Sequence, residues 1–240
     1  IAGNNEVYQL HIIPEQVEDF RYITLRLKNI LNLSEKEFQK IHKKRKEIKA
    51  WETIVVSDNL TWEQFSKVNN YLHELAGVKT VLSISRIYPF EENYTHVLGY
   101  VSQANEKDII NNENIKEKFV PGIRVGKTGL EKTFENVLLG ENDIQRFEVN
   151  AYGRKISQLN YQKGSKGQNL NLTIDTEIQK LCTELLKDKS GSICVMDIFS
   201  GEVIAMQSSP SFNPNLFLFG INQDDWQLIR NDPMKPLLNK

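Results

Sequence analysis

Cysteine is nearly absent. Cys182 and Cys194 are the two in 240 residues. Two cysteines make no disulfide framework, and both read as small core hydrophobes, Cys182 on a helix face and Cys194 in a buried strand. Net charge is nearly absent too, since 30 Lys and Arg stand against 31 Asp and Glu. So even a balance implies no general attraction to nucleic acid. No apolar run is long enough to cross a bilayer, and no signal-peptide pattern opens the chain. The first residue is Ile1, not Met, which suggests a piece of a longer protein. No internal repeat or low-complexity segment is evident. What is present, 40% hydrophobic and 25% charged residues, is the composition of a folded protein with one large domain or two smaller ones.

The most structured stretch is Ser190 to Phe212. Ser192–Met196 and Glu202–Gln207 read as two strands joined by a turn in which Gly201 supplies a positive φ. Both runs are apolar at nearly every position, which predicts cover on both faces. Earlier, Glu6 to Ile13 reads as a strand and Pro14 starts a helix with Val17, Phe20, Ile23, Leu27 and Ile30 at helical spacing. Ser34 and Glu37 form a capping box for a helix burying Phe38, Ile41 and Ile48. Its other face carries Lys40, Lys43, Lys44, Arg45, Lys46 and Lys49, a pattern that most often means a solvated face. Thr53 to Val56 reads as a short strand, and Thr61 with Gln64 caps a helix ended by Gly77. Val78 to Ile87 is a further strand, so this part suggests a small α+β unit.

Beyond it, Ser102 to Asn112 is a helix candidate, and Leu130 to Leu138 a helix closed by Gly140. Ile144 to Leu172 alternates like antiparallel strands, with turns at Asn150–Gly153 and Lys163–Gly167. Asp175 caps a helix with the stripe Ile178, Leu181, Cys182, Leu185 and Leu186. Asn222 to Asn231 is a last short helix. A domain boundary is placed at the polar, Gly-bearing Gly164–Gln168 stretch. His96 lies in a compact apolar run and lacks a second ligand at metal spacing, so it reads as structural.

Three short matches suggest chemistry and fail on spacing. Gly122, Gly126, Lys127 and Thr128 resemble a phosphate-cradling loop, and Cys194–Asp197 its metal-holding strand. A P-loop nucleotide-binding protein is therefore the alternative reading. That loop needs four residues between its glycines, and three are present. Ser57-Asp58-Asn59 and Lys127-Thr128-Gly129 spell two elements of penicillin-recognising enzymes. Those enzymes also need a nucleophilic Ser with Lys three residues on, and no Ser here has one. Ser57-Asp58-Asn59 is better read as the turn before Thr61.

The chain nonetheless resembles the class B penicillin-binding proteins, of the penicillin-binding protein 2 type. The resemblance runs from end to end. Its carriers include Arg86-Ile-Tyr88-Pro89, His96-Val-Leu-Gly99-Tyr-Val101, Gly126-Lys-Thr-Gly129-Leu-Glu131, Val149-Asn-Ala-Tyr-Gly-Arg154, Leu172-Thr-Ile-Asp175, Gly201 to Met206 and Pro210 to Phe217. It implies an α+β architecture: an elongated, non-catalytic pedestal with a small α+β head over 1–167, then the first helix and β-hairpin of a transpeptidase domain over 168–240.

The resemblance further implies a whole protein that cross-links peptidoglycan stem peptides through an acyl-enzyme on Ser, the site β-lactams acylate, with D-Ala-D-Ala carboxypeptidase activity possible. The anchor would precede Ile1, on the periplasmic side of the inner membrane, and the nucleophile would follow Lys240. This stretch would then be inactive, without catalytic residue, cofactor or metal. A SEDS-type membrane glycosyltransferase and a rod-shape scaffold protein are the implied partners, and nucleic acid is not. A reading as an interaction module alone stands beside this. The implied structural residues are Arg86, Tyr88, Pro89, His96, Gly99, Gly126, Gly129, Glu131, Arg154 and Asp175. Lys127 or Glu131 is expected to pair with Arg86 or Arg154, because unpaired charges in a packed junction are costly. The open edge of the Ser192–Gln207 hairpin is expected to pair with a second copy, or else the chain after Phe212 to be poorly ordered.

Overall fold

The computed structural model describes residues 1–50, 52–117, 123–141, 143–150 and 155–240. It divides into two compact units, Asn4–Ser85 and Ile1–Gly3 with Arg86–Lys240.

The unit Asn4–Ser85 is built on strands β1 (Gly3–Ile12), β2 (Ile54–Leu60) and β3 (Val78–Ile87) with helices α1 (Phe20–Leu31), α2 (Glu35–Glu47) and α3 (Trp62–Tyr71). Strand order is β2-β1-β3, and β1 runs antiparallel to β2 with Ile12 opposite Ile54. Leu10 and Ile12, two apart on β1, share one face and meet Ile23 and Leu27 of α1, Ile41 of α2 and Val68 of α3 in the core. Leu10, Ile12, Leu27 and Val68 are fully buried. Each such side chain contributes about 1.5–3 kcal/mol by leaving water.

Caps set the helix starts. Ser34 accepts from Glu37 N while Glu37 reaches back to Ser34 N, and Thr61 and Gln64 repeat the arrangement on α3. Two expectations need correction here. Pro14 opens a single 3-10 turn, Pro14–Gln16, and the helix begins at Phe20, where the Asp19 carboxylate takes the Tyr22 N–H. Ser57, Asp58 and Asn59 lie inside β2, not in a turn, because shifts in the β1–β2 register let the ladder continue to Leu60.

The second unit contains α4 (Thr95–Leu98), β4 (Val101–Gln103), α5 (Glu106–Asn111), α6 (Glu113–Glu117), β5 (Arg124–Gly126), α7 (Gly129–Thr133), α8 (Glu135–Leu138), β6 (Ile144–Val149), β7 (Lys155–Gln162), α9 (Thr176–Leu185), β8 (Gly191–Met196), β9 (Val203–Ser209) and α10 (Gln223–Asn231). Its strands form three antiparallel pairs, β4-β5, β6-β7 and β8-β9.

Several elements differ from the sequence expectation. The helix candidate Ser102–Asn112 splits: Val101–Gln103 pairs with β5, and Asn105 caps a helix that begins only at Glu106. The helix over Leu130–Leu138 breaks at Phe134, whose N–H serves both Leu130 O and Lys132 O. The strand pattern over Ile144–Leu172 yields a single hairpin that ends at Gln162.

The apolar stripe of α9 is buried only at its Cys182 edge. Ile178, Leu181 and Leu185 are exposed, whereas Gln179 and Cys182 are buried. The Gln179 carboxamide bonds the β9 backbone and so turns that row inward. The hairpin is likewise not covered on both faces. Strand β8 alternates half-buried and exposed positions, and Cys194, expected in the core, is exposed. Both cysteines are free thiols.

The edge of β9 is closed from within the chain. Thr173 Oγ1 donates to Val203 O at 2.7 Å, Asp175 N to Ile204 O at 2.8 Å, and Lys240 N to Ser208 Oγ at 2.9 Å. Beyond Phe212 the chain continues through a 3-10 turn at Pro214–Phe217, with Phe217 and Leu218 buried, and into α10. The expectation of pairing or disorder there is corrected for β9. Strand β8 has no second strand neighbour among the described residues.

Candidate functional site

Arg86, Tyr88, Gly99, Gly126 and Gly129 gather around one buried carboxylate, that of Glu131. Glu131, in the first turn of α7, is 5% exposed. A carboxylate that deep must be paired and hydrogen-bonded. Arg86 Nε donates to Glu131 Oε1 at 2.7 Å, and Tyr88 Oη reaches the same oxygen at 3.3 Å. Arg86 lies at the end of β3 and Tyr88 just after it, so alternation along an extended chain sends both side chains the same way. Burial pushes the Tyr88 phenol far above its ordinary range, and Glu131 adds to this by repelling a second negative charge. Tyr88 is therefore a fixed donor, not an acid.

Two glycines let α7 approach. Gly99 (φ +78°) follows α4 and Gly129 (φ +59°) opens α7. A Cβ on Gly99 would stand 1.9 Å from Thr128 O, and one on Gly129 would stand 2.6 Å from Gly99 N. Only bare backbones can meet so closely. Gly126, at the end of β5, would clash with Glu131 O at 2.3 Å in the same way. The freed Gly126 N–H is taken by Glu135. Burial raises the Glu135 carboxyl above its usual range, with Glu131 and Asp108 adding repulsion. Lys127 pairs with Asp108 of α5. Burial alone would raise Asp108, but the Asn105 N–H and Lys127 together hold it low.

A second layer ties this knot to the segment after β9. Asn215 Nδ2 donates to Tyr88 O at 2.9 Å, and Tyr88 N donates to Asn215 Oδ1 at 3.0 Å. Thr95 Oγ1 donates to Phe212 O at 2.7 Å, and Arg124 Nε to Leu218 O at 2.8 Å. His96 Nε2–H donates to Pro210 O at 3.4 Å and sets its ring edge-on to Phe212. Burial depresses the His96 pKa. Gln179 completes the layer, with its Nε2 on Asn93 O at 2.7 Å and on Met206 O at 3.0 Å.

Of the residues named from sequence, Arg86, Tyr88 and Glu131 touch directly, and Gly99, Gly126 and Gly129 shape the space between them. His96 belongs to the second layer. Pro89 sits exposed in the turn after Tyr88, and Asp175 caps α9, accepting from Glu177 N and Ile178 N. Arg154 lies outside the described residues. Asn215, Gln179, Asp108 and Glu135 were not among the named residues. Gln179 lies three residues before Cys182 on a helix that also carries Thr176, Glu177, Lys180, Thr183 and Glu184, so composition does not single it out. Asn215 had no signal beyond its place between prolines and aromatics. The arrangement fixes backbone and buries charge. It holds no nucleophile next to a base, and no group of three or more His, Cys, Asp or Glu that could hold a metal occurs among the described residues.

A family profile described as the penicillin-binding protein dimerisation domain matches residues 1–172. The peptidoglycan D,D-transpeptidase MrdA of Escherichia coli K12 is 32% identical over 242 residues, which cover all of this chain and 38% of that protein. MrdA of Haemophilus influenzae is 31% identical over 244 residues, again the whole chain, and 37% of that protein. The chain therefore spans well under half the length of these curated relatives. Among solved structures, the complex between penicillin-binding protein PBP2 and MreC from Helicobacter pylori superposes with a TM-score of 0.81 at 28% identity, covering 99% of this chain and 44% of the other.

Proposed function

Since this chain belongs to the penicillin-binding protein dimerisation-domain family, we propose that it is the non-catalytic pedestal of a peptidoglycan transpeptidase, with the opening elements of the catalytic domain. The observation that carries this is similarity over the whole chain to proteins named as D,D-transpeptidases, combined with the want of any Ser-x-x-Lys in the sequence. The boundary between the parts falls at 167/168. The whole protein cross-links stem peptides through an acylated Ser beyond Lys240, and carboxypeptidase activity would use the same Ser. It works on the periplasmic face of the inner membrane, held by an anchor before Ile1.

The buried knot supports a structural role for the motif residues. Arg86, Tyr88, His96, Gly99, Gly126, Gly129 and Glu131 would set the junction that carries the catalytic domain, and Pro89, Arg154 and Asp175 join them on the resemblance alone. The partner most directly supported is a rod-shape scaffold, because the H. pylori relative was solved with MreC. A SEDS-type glycosyltransferase is the second. Self-association of two copies would run through the open edge of β8. Labelled penicillin tests the assignment. A longer chain running past Lys240 to a Ser-x-x-Lys should be acylated, and residues 1–240 should not. A covalent adduct on the 240-residue chain would reject it.

A further inference from the structure

The strongest charge asymmetry in the molecule lies on α2, and stability does not account for it. Between Lys36 and Lys49 there are seven Lys or Arg and two Glu, whereas the rest of 4–85 has five Lys or Arg and nine Asp or Glu. The orientation of α2 is fixed by its other side. Ile41 is buried, His42 packs between the Phe20 and Phe38 rings, and Arg45 lies over Phe20. With that side inward, Lys36, Lys40 and Lys43 form one outward row at four- and three-residue spacing, and all three are exposed.

Lys44, Arg45 and Lys46 close the last turn, where the helix dipole favours cations. Lys36 and Lys40 do not have that justification. Lys36 stands in the first turn, where the dipole disfavours a cation, and the row repels itself at each step. The carboxylates that could relieve it are engaged. Glu35 pairs with Lys28 of α1, and Glu37 is held in the Ser34 capping box. Among the described residues only Glu47 approaches the row, 3.8 Å from Lys43, and that pair is largely in solvent. A self-repelling row on a rigid helix is what an external polyanion would neutralise.

The chemistry of the row narrows the polyanion. An amphipathic helix that lies in a bilayer inserts its apolar face, but here that face is used by the core. Single-stranded nucleic acid is held by aromatics between the cations, and this face has none. The outward row is all Lys, compact point charges on flexible stems that ask for no fixed two-bond geometry in what they meet. Such a row suits carboxylates spaced along a flexible polymer. We infer that the Lys36–Lys40–Lys43 face of α2 docks on peptidoglycan through the free carboxylates of its stem peptides. The inference rests on the proposed function, which brings this chain to the wall.

The 240-residue chain is co-sedimented with purified, protein-free sacculi. Parallel arms use sacculi whose carboxylates have been converted to amides, and vesicles containing phosphatidylglycerol. The variant is Lys36→Glu/Lys40→Glu/Lys43→Glu, with Lys67→Glu on α3 as the control, and circular dichroism establishes that each folds. The expected result is retention on native sacculi that falls with added salt and drops at least about tenfold on amidation or in the triple variant, with Lys67→Glu unaffected. Equal retention by the triple variant or by amidated sacculi overturns the inference. So does no retention at low salt, or vesicles that bind as well as sacculi. Acylation of the longer chain is read separately, so absent retention with intact acylation removes only this docking face.

Discussion

Asn215 holds Tyr88 by two bonds at once, giving its Nδ2–H to Tyr88 O and taking the Tyr88 N–H on Oδ1. The two residues are 127 apart in sequence, and the side chain acts there as a strand neighbour would. It satisfies both backbone groups of a residue that is 1% exposed. Removing it leaves the buried Tyr88 N–H unmet, which costs about 1–3 kcal/mol, whereas Tyr88 O keeps the Glu91 N–H at 3.1 Å. Asn215→Leu is therefore expected to lower the urea midpoint clearly. Asn215→Asp keeps only the acceptor and should fall between. A midpoint unchanged in Asn215→Leu would mean the clamp is not needed.

The meeting of Gly99 and Gly129 leads to a second prediction. Gly99→Ala must place a methyl group in the Thr128 carbonyl at a positive φ. Gly99 has φ +78° and ψ −154°, a region essentially confined to glycine, which costs an L-residue roughly 1–3 kcal/mol, with the overpacking adding roughly 1–3 kcal/mol. Thermal denaturation should show a loss in that range. Gly201→Ala, which also has a positive φ but nothing within 4 Å, should show the conformational part alone.

How much of this was readable follows from how local each signal is. The Ser34, Thr61 and Asp175 caps and the strand Val78–Ile87 depend on neighbours in sequence, and the structure has them as expected. Tertiary cover is not local. Periodicity identified the α9 stripe but could not say which side would be covered, and Ile178, Leu181 and Leu185 face outward while Gln179 is buried. The run Ile193–Met196 is apolar without alternation, yet its burial alternates. Arg86 and Glu131 are 45 residues apart, and no spacing rule joins them. Only the family resemblance put them in one set. Ser57–Asn59 reads as a turn by composition but is held in β2 by the ladder to β1.

Acid should weaken the layer around His96. Its pKa lies below the ordinary histidine value, chiefly through burial. The folded state thus binds the proton less well than the unfolded chain. Stability from this group is full above the unfolded value and is lost as pH falls through the lowered folded one. His11 and His42 are depressed in the same direction, also mainly by burial, so the whole chain should lose stability from neutral pH towards pH of about 5. His96→Gln can still donate to Pro210 O but does not titrate. The slope of unfolding free energy against pH should be shallower in that variant, and an identical slope would remove His96 from the account.

The Arg86–Glu131 pair gives the last prediction, a test of whether the knot is held by charge or by shape. Glu131 is almost fully buried, while the Arg86 side chain is 22% exposed. Breaking such a pair from one side strands the other charge, at a cost of about 3–5 kcal/mol when both are buried and less here because water reaches Arg86. Glu131→Leu should therefore destabilise by about 2–3 kcal/mol in urea denaturation, because Arg86 loses this carboxylate and Tyr88 Oη its acceptor. Arg86→Met should cost a similar amount, since it leaves the more buried partner uncompensated. The double variant Arg86→Met/Glu131→Leu removes both charges and refills the volume, and replacing a buried pair by apolar groups is often neutral. It is expected to be more stable than either single variant, short of wild type by the unmet Tyr88 hydroxyl. Adding Tyr88→Phe to the double variant should recover that remainder. If the double variant instead loses the sum of the two single losses, the residues act independently and the 2.7 Å contact contributes no coupling.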